Sequence, residues 1–442
     1  MPVPAERMPI GIWHELPAGA RWKNEGVSRV IGFLIEGAAL RRTYAFHIIV
    51  RASLADEVRE DLRQLSAEEF VDWEVHSPTP AQERHYLARA ASMDTKMQPH
   101  DNVSLALFAD ENVPVEGWIV PFPHFESSQF LTQRKAVLVP DAIPFDFPLG
   151  WIEHWGPDSF WLVWREAAKR VCKSADAIIT FSEHFARRQG GPLLDIPREK
   201  VHVVPLAPPD LVGELPFVRS RTRSVASREQ AAAILRDHAA ERRIDYLRNF
   251  PFEECDFVVD ATQDRPTKNL GLTIDAVERI VRNDRQPLKL FLTAELNFGA
   301  HWTRLPKILE ERQFNRDFVA MHDLPRQVHA ALFHAAAVTV HSSFFEGIIG
   351  CLPLYESVSV GTPCLFAQGP HSSELLETEP GLAPFTYDPY DVEGLRQLIR
   401  QTIEQRDEVL KVQAAICARL RRRTWADTAD GYVAAALSGK RK

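Results

Sequence analysis

The sequence predicts an α/β protein built from two doubly wound parallel sheets, and three observations carry that prediction. Its 442 residues exceed an ordinary single domain. Short apolar runs of strand length alternate with stretches of helical spacing, from Pro9 to Pro205 and again from Phe257 to Tyr387. That succession is what a parallel sheet with crossover helices requires. Two units, 9–37 and 337–367, run strand, glycine-bearing loop, helix. This geometry aims free N–H groups and the positive helix end at the C-terminal edge of a sheet, where anions bind.

In the first half, Pro9-Ile10-Gly11-Ile12-Trp13 reads as a strand, and Val27, Val30, Ile31, Leu34 and Ile35 share one face of a helix over 27–37. Gly26, just before it, either lets a ligand approach the backbone or only serves a turn. Residues 46–50 form a second strand and 57–65 a helix, with 105–109 and 117–120 as further short strands. The Pro-rich 121–126 segment, which carries His124, is a rigid loop at a strand end. The strand at 137–139 runs into Pro140 and Asp141. Trp151, Trp155, Trp161 and Trp164 follow closely. The last two stand at helical spacing and read as core, whereas Trp151 and Trp155 suit an acceptor pocket or a membrane interface. A helix over 165–174, a strand over 176–181 capped by Ser182, and a strand over 201–205 complete the half before a linker at 206–210.

The second half begins with a polar stretch holding a basic tract at 219–223, read as a solvated face, and a helix over 229–247. A strand at 257–261 precedes Arg265 and Lys268. Helix 270–281, strand 288–293, strand and turn 318–324, and helix 327–336 follow. Strand 337–340 then enters a polar, glycine-bearing turn, 341–351. Pro353 opens the next helix, since the first helical turn does not need its missing N–H, and Gly361-Thr362-Pro363 stops it before strand 364–367. Glu346 lies at the mouth of the loop and Glu356 on the helix. A helix from 372, a strand at 384–387, a helical stretch at 391–418, an arginine cluster (Arg419, Arg421, Arg422, Arg423) and a final helix at 425–437 end the chain.

Composition narrows the function. A net charge of −8 disfavours a general nucleic-acid binder. Five scattered cysteines without a C-x-x-C pair argue against a disulfide framework or a structural zinc site and for a reducing compartment. No signal-peptide pattern and no bilayer-length apolar run is read, so a cytoplasmic enzyme is expected. The arginine cluster allows peripheral contact with the inner face of a membrane, although a solvated helix end is the plainer reading.

The run Ser343-Phe344-Phe345-Glu346-Gly347, then Leu352-Pro353-Leu354-Tyr355-Glu356, then Gly361-Thr362-Pro363 resembles the donor-site signature of family 4 of the retaining glycosyltransferases (glycosyltransferase group 1). Arg265-Pro266-Thr267-Lys268-Asn269 resembles that family's Arg-x-x-Lys-Asn after a strand. The usual Glu-x7-Glu is here Glu-x9-Glu, with the two extra residues within 347–351, and Pro140 stands where the family often has His.

The resemblance implies the GT-B fold. Residues 1–207 would form an acceptor-binding Rossmann-like domain, 208–421 a nucleotide-sugar domain, and 422–442 a C-terminal crossover helix, with the donor in the cleft. It implies a metal-independent, retaining hexosyltransferase of the polysaccharide-biosynthesis kind. A nucleoside-diphosphate sugar would be the donor and a glycan or lipid-linked glycan the acceptor. Arg265 and Lys268 would hold the diphosphate in place of a metal, because two fixed cations stabilise the charge on the leaving group. N–H groups from Gly350 to Leu354, with Gly347, Leu352 and Pro353 around them, would assist. Glu356 would take the ribose hydroxyls, and Glu346 the transferred sugar near its 3- and 4-hydroxyls. Met321 and His322 are placed near the base, and Gly26, His124 and Asp141 on the acceptor side. Two rival expectations are a degenerate sugar-nucleotide binder and a sugar-nucleotide epimerase, the latter lacking a clear carboxylate pair. A soluble NAD-type binder would need a Gly-x-Gly-x-x-Gly run, and none exists.

Overall fold

The computed structural model describes residues 7–15, 26–65, 73–93, 100–146, 160–219, 222–295, 310–311 and 317–439. Within them the chain divides into two units, 1–207 with 423–442, and 208–422. Each is built on one sheet whose strand pairings are all parallel.

The first unit's sheet has the order β3-β2-β1-β4-β5-β6-β7. The strands are β1 (Met8–Trp13), β2 (Tyr44–Ile49), β3 (Trp73–His76), β4 (Gly117–Val120), β5 (Lys135–Leu138), β6 (Ala177–Thr180) and β7 (Val201–Val203). β4, β5 and β6 are buried at every position, as strands covered by helices on both faces must be. The 105–109 segment is not a strand. It lies inside the helix His100–Asn112, because a five-residue apolar run fits a buried helix face as well as a strand. β3 and the helix Pro80–Ser92, capped by the reciprocal Thr79–Gln82 pair, have no counterpart among the sequence expectations. Trp164 is half-buried and packs against the core, stacked on Phe145 with centroids 6.0 Å apart. Trp151 and Trp155 lie outside the described residues.

The last helix, Trp425–Leu437, belongs to this first unit. Thr424 and Asp427 form its capping box. It packs along the helix Gly26–Ala39, where Phe33 and Trp425 have ring centroids 4.9 Å apart. Tyr44 Oη donates to Asp430 at 2.8 Å and Arg134 Nη1 to the Leu437 carbonyl at 2.8 Å.

The second unit's sheet has the order β10-β9-β8-β11-β12-β13. Its strands are β8 (Phe257–Asp260), β9 (Lys289–Leu292), β10 (Phe318–Ala320), β11 (Val338–His341), β12 (Cys364–Ala367) and β13 (Thr386–Tyr387). The helix expected over 229–247 is two, Val225–Glu241 and Asp245–Arg248, parted where Arg243 takes a φ of 56°. The 391–418 stretch likewise breaks at Gln405 into Val392–Glu404 and Arg406–Leu420. Gly361, with a φ of 89°, ends the helix Leu352–Ser359 as the sequence predicts. No described helix is long and apolar enough to cross a membrane.

Candidate active site

In each sheet the strand order reverses at one place, and the crevice beyond the C-terminal strand ends at that reversal is where open α/β sheets bind ligands. In the second unit it lies between β8 and β11, whose register pairs Val340 with Asp260. The loops leaving these strands are stitched together. Phe344 N donates to the Thr267 carbonyl at 2.9 Å, and Ser343 Oγ reaches the same carbonyl at 3.2 Å. Ser342 Oγ lies 2.6 Å from the Lys268 carbonyl and 2.7 Å from Asp260 Oδ2.

This stitching brings Lys268 and Glu346, 78 residues apart in sequence, into an ion pair: Lys268 Nζ donates to Glu346 Oε1 at 2.6 Å. His341 Nε2 stands 2.9 Å from the same oxygen. The lysine and glutamate side chains are only 16% and 17% exposed. Burial by itself would raise the Glu346 pKa, but Lys268 and His341 more than offset it and hold the carboxylate well below its ordinary range. The His371 ring stands edge-on to His341, with centroids 6.2 Å apart. It is buried, and neither of its nitrogens has a hydrogen-bond partner among the described residues. Burial, reinforced by His341, pushes it down to about 3, so it is neutral at physiological pH. Beneath the loops Asp260 is fully buried and accepts from Thr273 Oγ1 at 2.7 Å. Burial pushes its carboxyl up to about 6 against the Thr273 and Ser342 hydrogen bonds.

Lys268 closes the short 3-10 turn Pro266–Lys268, and Asn269 then takes the left-handed conformation, φ 51°, to start the helix Leu270–Arg282. The Arg265 side chain is exposed, with no ion pair among the described residues. Gly350 takes a φ of 73°, where a Cβ would meet Tyr355 Oη at 2.8 Å and Leu375 Cδ2 at 2.9 Å. Its N–H donates to the His371 carbonyl at 2.9 Å. Gly347 and Pro353 are buried and Leu352 is half-buried beside it. Cys351, the N-cap of the helix Leu352–Ser359, supplies no side-chain cap. The Gly350 N–H is therefore committed to His371, while the start of the helix keeps uncapped donors. Glu356 is buried, not solvated, with Oε2 3.6 Å from His329 Nε2. Met321 and His322 follow β10, which β9 separates from β8. Met321 is buried and its N–H is bonded to the Leu292 carbonyl at 2.8 Å.

In the first unit the reversal lies between β1 and β4. Gly26 is the exposed first residue of its helix, and a Cβ there would meet nothing within 4 Å, so packing does not demand glycine. His124 Nδ1 accepts from Trp164 Nε1 at 3.1 Å, and burial pushes its pKa down to about 4. Asp141 Oδ1 accepts from Ile143 N at 3.2 Å. Sequence reasoning missed Glu15, two residues past the end of β1. Its carboxylate accepts from Trp13 Nε1, Asn102 Nδ2 and Ser127 Oγ, each at 2.9 Å. Burial pushes it up to about 7 despite those bonds. It missed His371 as well, and gave Asp260 and His341 no role. The one sequence signal for Asp260, His341 and Glu15 is their place at or just past a strand end.

In the arginine cluster Arg419 and Arg422 are exposed, and Arg421 and Arg423 half-buried. Arg419 pairs with Glu379, Arg421 Nη2 donates to the Tyr355 carbonyl at 2.7 Å, and Arg423 Nε lies 3.4 Å from Thr428 Oγ1.

No protein-family model and no curated protein matches the sequence. Solved structures do. HepE of Anabaena, solved in complex with UDP and glucose, superposes with a TM-score of 0.64 at 13% identity over 98% of this chain and 100% of its own. Sucrose-phosphate synthase of Thermosynechococcus elongatus gives 0.61 at 12% identity over 96% of each chain. An α,α-trehalose-phosphate synthase of Burkholderia xenovorans, in complex with glucose-6-phosphate, gives 0.58 at 13% identity over 98% of this chain and 100% of its own. These likenesses establish the fold class as GT-B, with its two Rossmann-like units and a returning C-terminal helix.

Proposed function

We propose that this chain is a retaining glycosyltransferase that moves a sugar from a nucleoside-diphosphate sugar to a glycan or lipid-linked glycan acceptor in the cytoplasm. The observation that carries the reading is the Lys268–Glu346–His341 cluster at the β8–β11 reversal, beside the uncapped start of the helix Leu352–Ser359. A diphosphate needs cations and N–H donors there. A sugar in the same crevice needs a charged acceptor such as Glu346 for its hydroxyls. The structures of HepE with UDP-glucose and of the trehalose-phosphate synthase support a nucleotide-sugar donor by analogy of fold.

In this reading Lys268 and Arg265 stabilise the diphosphate as the bond from the sugar's anomeric carbon to the phosphate oxygen breaks. The acceptor hydroxyl oxygen bonds that carbon on the same face, and its proton passes to the departing phosphate oxygen. Glu346 orients the sugar, the buried Glu356 receives the ribose, and the neutral His371 offers a ring nitrogen to the ligand. No metal is needed for this step, because the two side-chain cations occupy its role.

The test combines binding and turnover. Purified protein is incubated with UDP-, GDP- and ADP-sugars in turn, following heat of binding and slow release of nucleoside diphosphate. One nucleotide should bind, binding should fall in Lys268→Ala, and release should be lost in Glu346→Ala. Binding without release, even with acceptors supplied, would make the protein a sugar-nucleotide binder. No binding would sink the donor-site argument.

A further inference from the structure

We propose that His47, Glu74 and His76 bind one transition-metal ion of the zinc class at the edge of the first unit's sheet. The register of β2 and β3 sets His47 directly opposite Glu74. The two-residue period of a strand then places His76 on the same face as Glu74. Three donor atoms converge as a result. His47 Nδ1 and His76 Nε2 are 2.8 Å apart, His76 Nε2 and Glu74 Oε2 3.5 Å, and His47 Nδ1 and Glu74 Oε2 4.0 Å. The one point about 2.0 Å from all three lies in their common plane, so a tetrahedral zinc at roughly 2.0–2.2 Å requires the exposed Glu74 side chain to swing closer to His47.

The donor set selects the class of ion. Two imidazoles and a carboxylate suit zinc and its first-row neighbours, while magnesium and calcium demand oxygen ligands. The histidine side chains are 19% and 21% exposed and Glu74 is 66% exposed, so water can reach a fourth coordination position. At 2.8 Å one ring nitrogen must donate to the other, and an ion can take that proton's place if the proton moves to the far nitrogen of its own ring. Arg59, whose charge acts on His76, is committed to Asp56 at 2.8 Å and to the Val75 carbonyl at 3.3 Å. The ion would tie β3, an edge strand that among the described residues pairs with β2 alone, to its neighbour. None of its ligands belongs to the donor site, so this inference stands apart from the proposed reaction.

The test uses the full chain without an affinity tag, stripped with chelator. It is titrated with zinc chloride by calorimetry and with cobalt chloride by visible absorption. One equivalent should bind, cobalt should show the intense bands of a four-coordinate nitrogen/oxygen site, and zinc should raise the melting temperature. His47→Ala and His76→Ala should each weaken binding by at least about 100-fold, more than loss of an outer-shell partner costs. Circular dichroism checks that the variants fold, and Glu74→Gln, a near-isosteric change at an exposed side chain, provides an independent reading with a smaller loss. Stoichiometric binding that survives all three changes would place the ion elsewhere. An absence of saturable binding at millimolar zinc would leave a pair of histidines that only share a proton. Either result overturns the proposal.

Discussion

Replacing Lys268 with Met removes the cation 2.6 Å from the Glu346 carboxylate while keeping most of the side-chain volume. At an effective dielectric of about 20 the gross attraction at that distance is about 6 kcal/mol. Desolvation of the two ions takes back much of it, and breaking one partner of a buried pair costs about 3–5 kcal/mol. His341 remains 2.9 Å from the same oxygen. The loss for Lys268→Met should therefore fall to about 2–3 kcal/mol, with a similar loss for Glu346→Gln. The double variant leaves neither charge stranded, so the coupling energy should be about 2 kcal/mol. Urea denaturation of the four proteins measures it. The folded Glu346 pKa lies below its unfolded value, so the carboxylate contributes stability above about pH 4.5 that is lost as pH falls through the folded pKa. Lys268→Met should therefore reduce the acid sensitivity of the second unit. A coupling below about 0.5 kcal/mol, the scatter of independent sites, would refute the claim that these residues act as one buried pair.

Burial raises Asp260 from 3.8 to about 6. Between those values the folded state holds a proton that the unfolded chain has lost, so this group's contribution falls as pH rises, by about 3 kcal/mol in all. Urea midpoints of Asp260→Asn and wild type should shift in the variant's favour between pH 4 and 7, and a flat difference would contradict the raised pKa. Gly37→Ala would set a Cβ 2.5 Å from Trp425 Cβ and 2.6 Å from its carbonyl carbon. Despite alanine's better helix propensity it should destabilise the first unit by about 1–3 kcal/mol in thermal unfolding. Asn269 sits at φ 51° with Nδ2 donating to the Pro389 carbonyl at 2.9 Å. Asn269→Ala should cost about 1–2 kcal/mol, and Asn269→Gly less, as urea midpoints would show; equal losses would assign the cost to the hydrogen bond alone.

The fold was legible because its elements carry local signals. Ser182 does cap, with Phe185 N donating to its Oγ at 3.3 Å, and the final helix has the bounds expected of it, Trp425–Leu437. Residues 105–109 misled because a short apolar run has no period of its own. β3 escaped notice because, as an edge strand, it buries only Val75 fully among its four residues. At the candidate site, Lys268 and Glu346 stood out in sequence, whereas their partners did not. Asp260 meets Ser342 only because β8 pairs with β11 across an intervening strand–helix succession. The burial of Glu356 depends on the helix Arg326–Ala335, which brings His329 against it.

The place of the last helix has a consequence for biosynthesis. Residues 208–422 form a unit contiguous in sequence, whereas the first unit needs residues 425–437 to cover Phe33 and to close against Gly117, whose Cα approaches the Ala436 carbonyl too closely for a side chain. On the ribosome the segment synthesised first therefore cannot finish first. Its sheet and the helix Gly26–Ala39 emerge with one apolar face bare, and they wait through the whole translation of the second unit. A chain released at Arg422 should keep protease resistance in 208–422 and lose it in 7–207. The order of folding would thus run opposite to the order of translation, with the newest helix acting as the clasp for the oldest part of the chain.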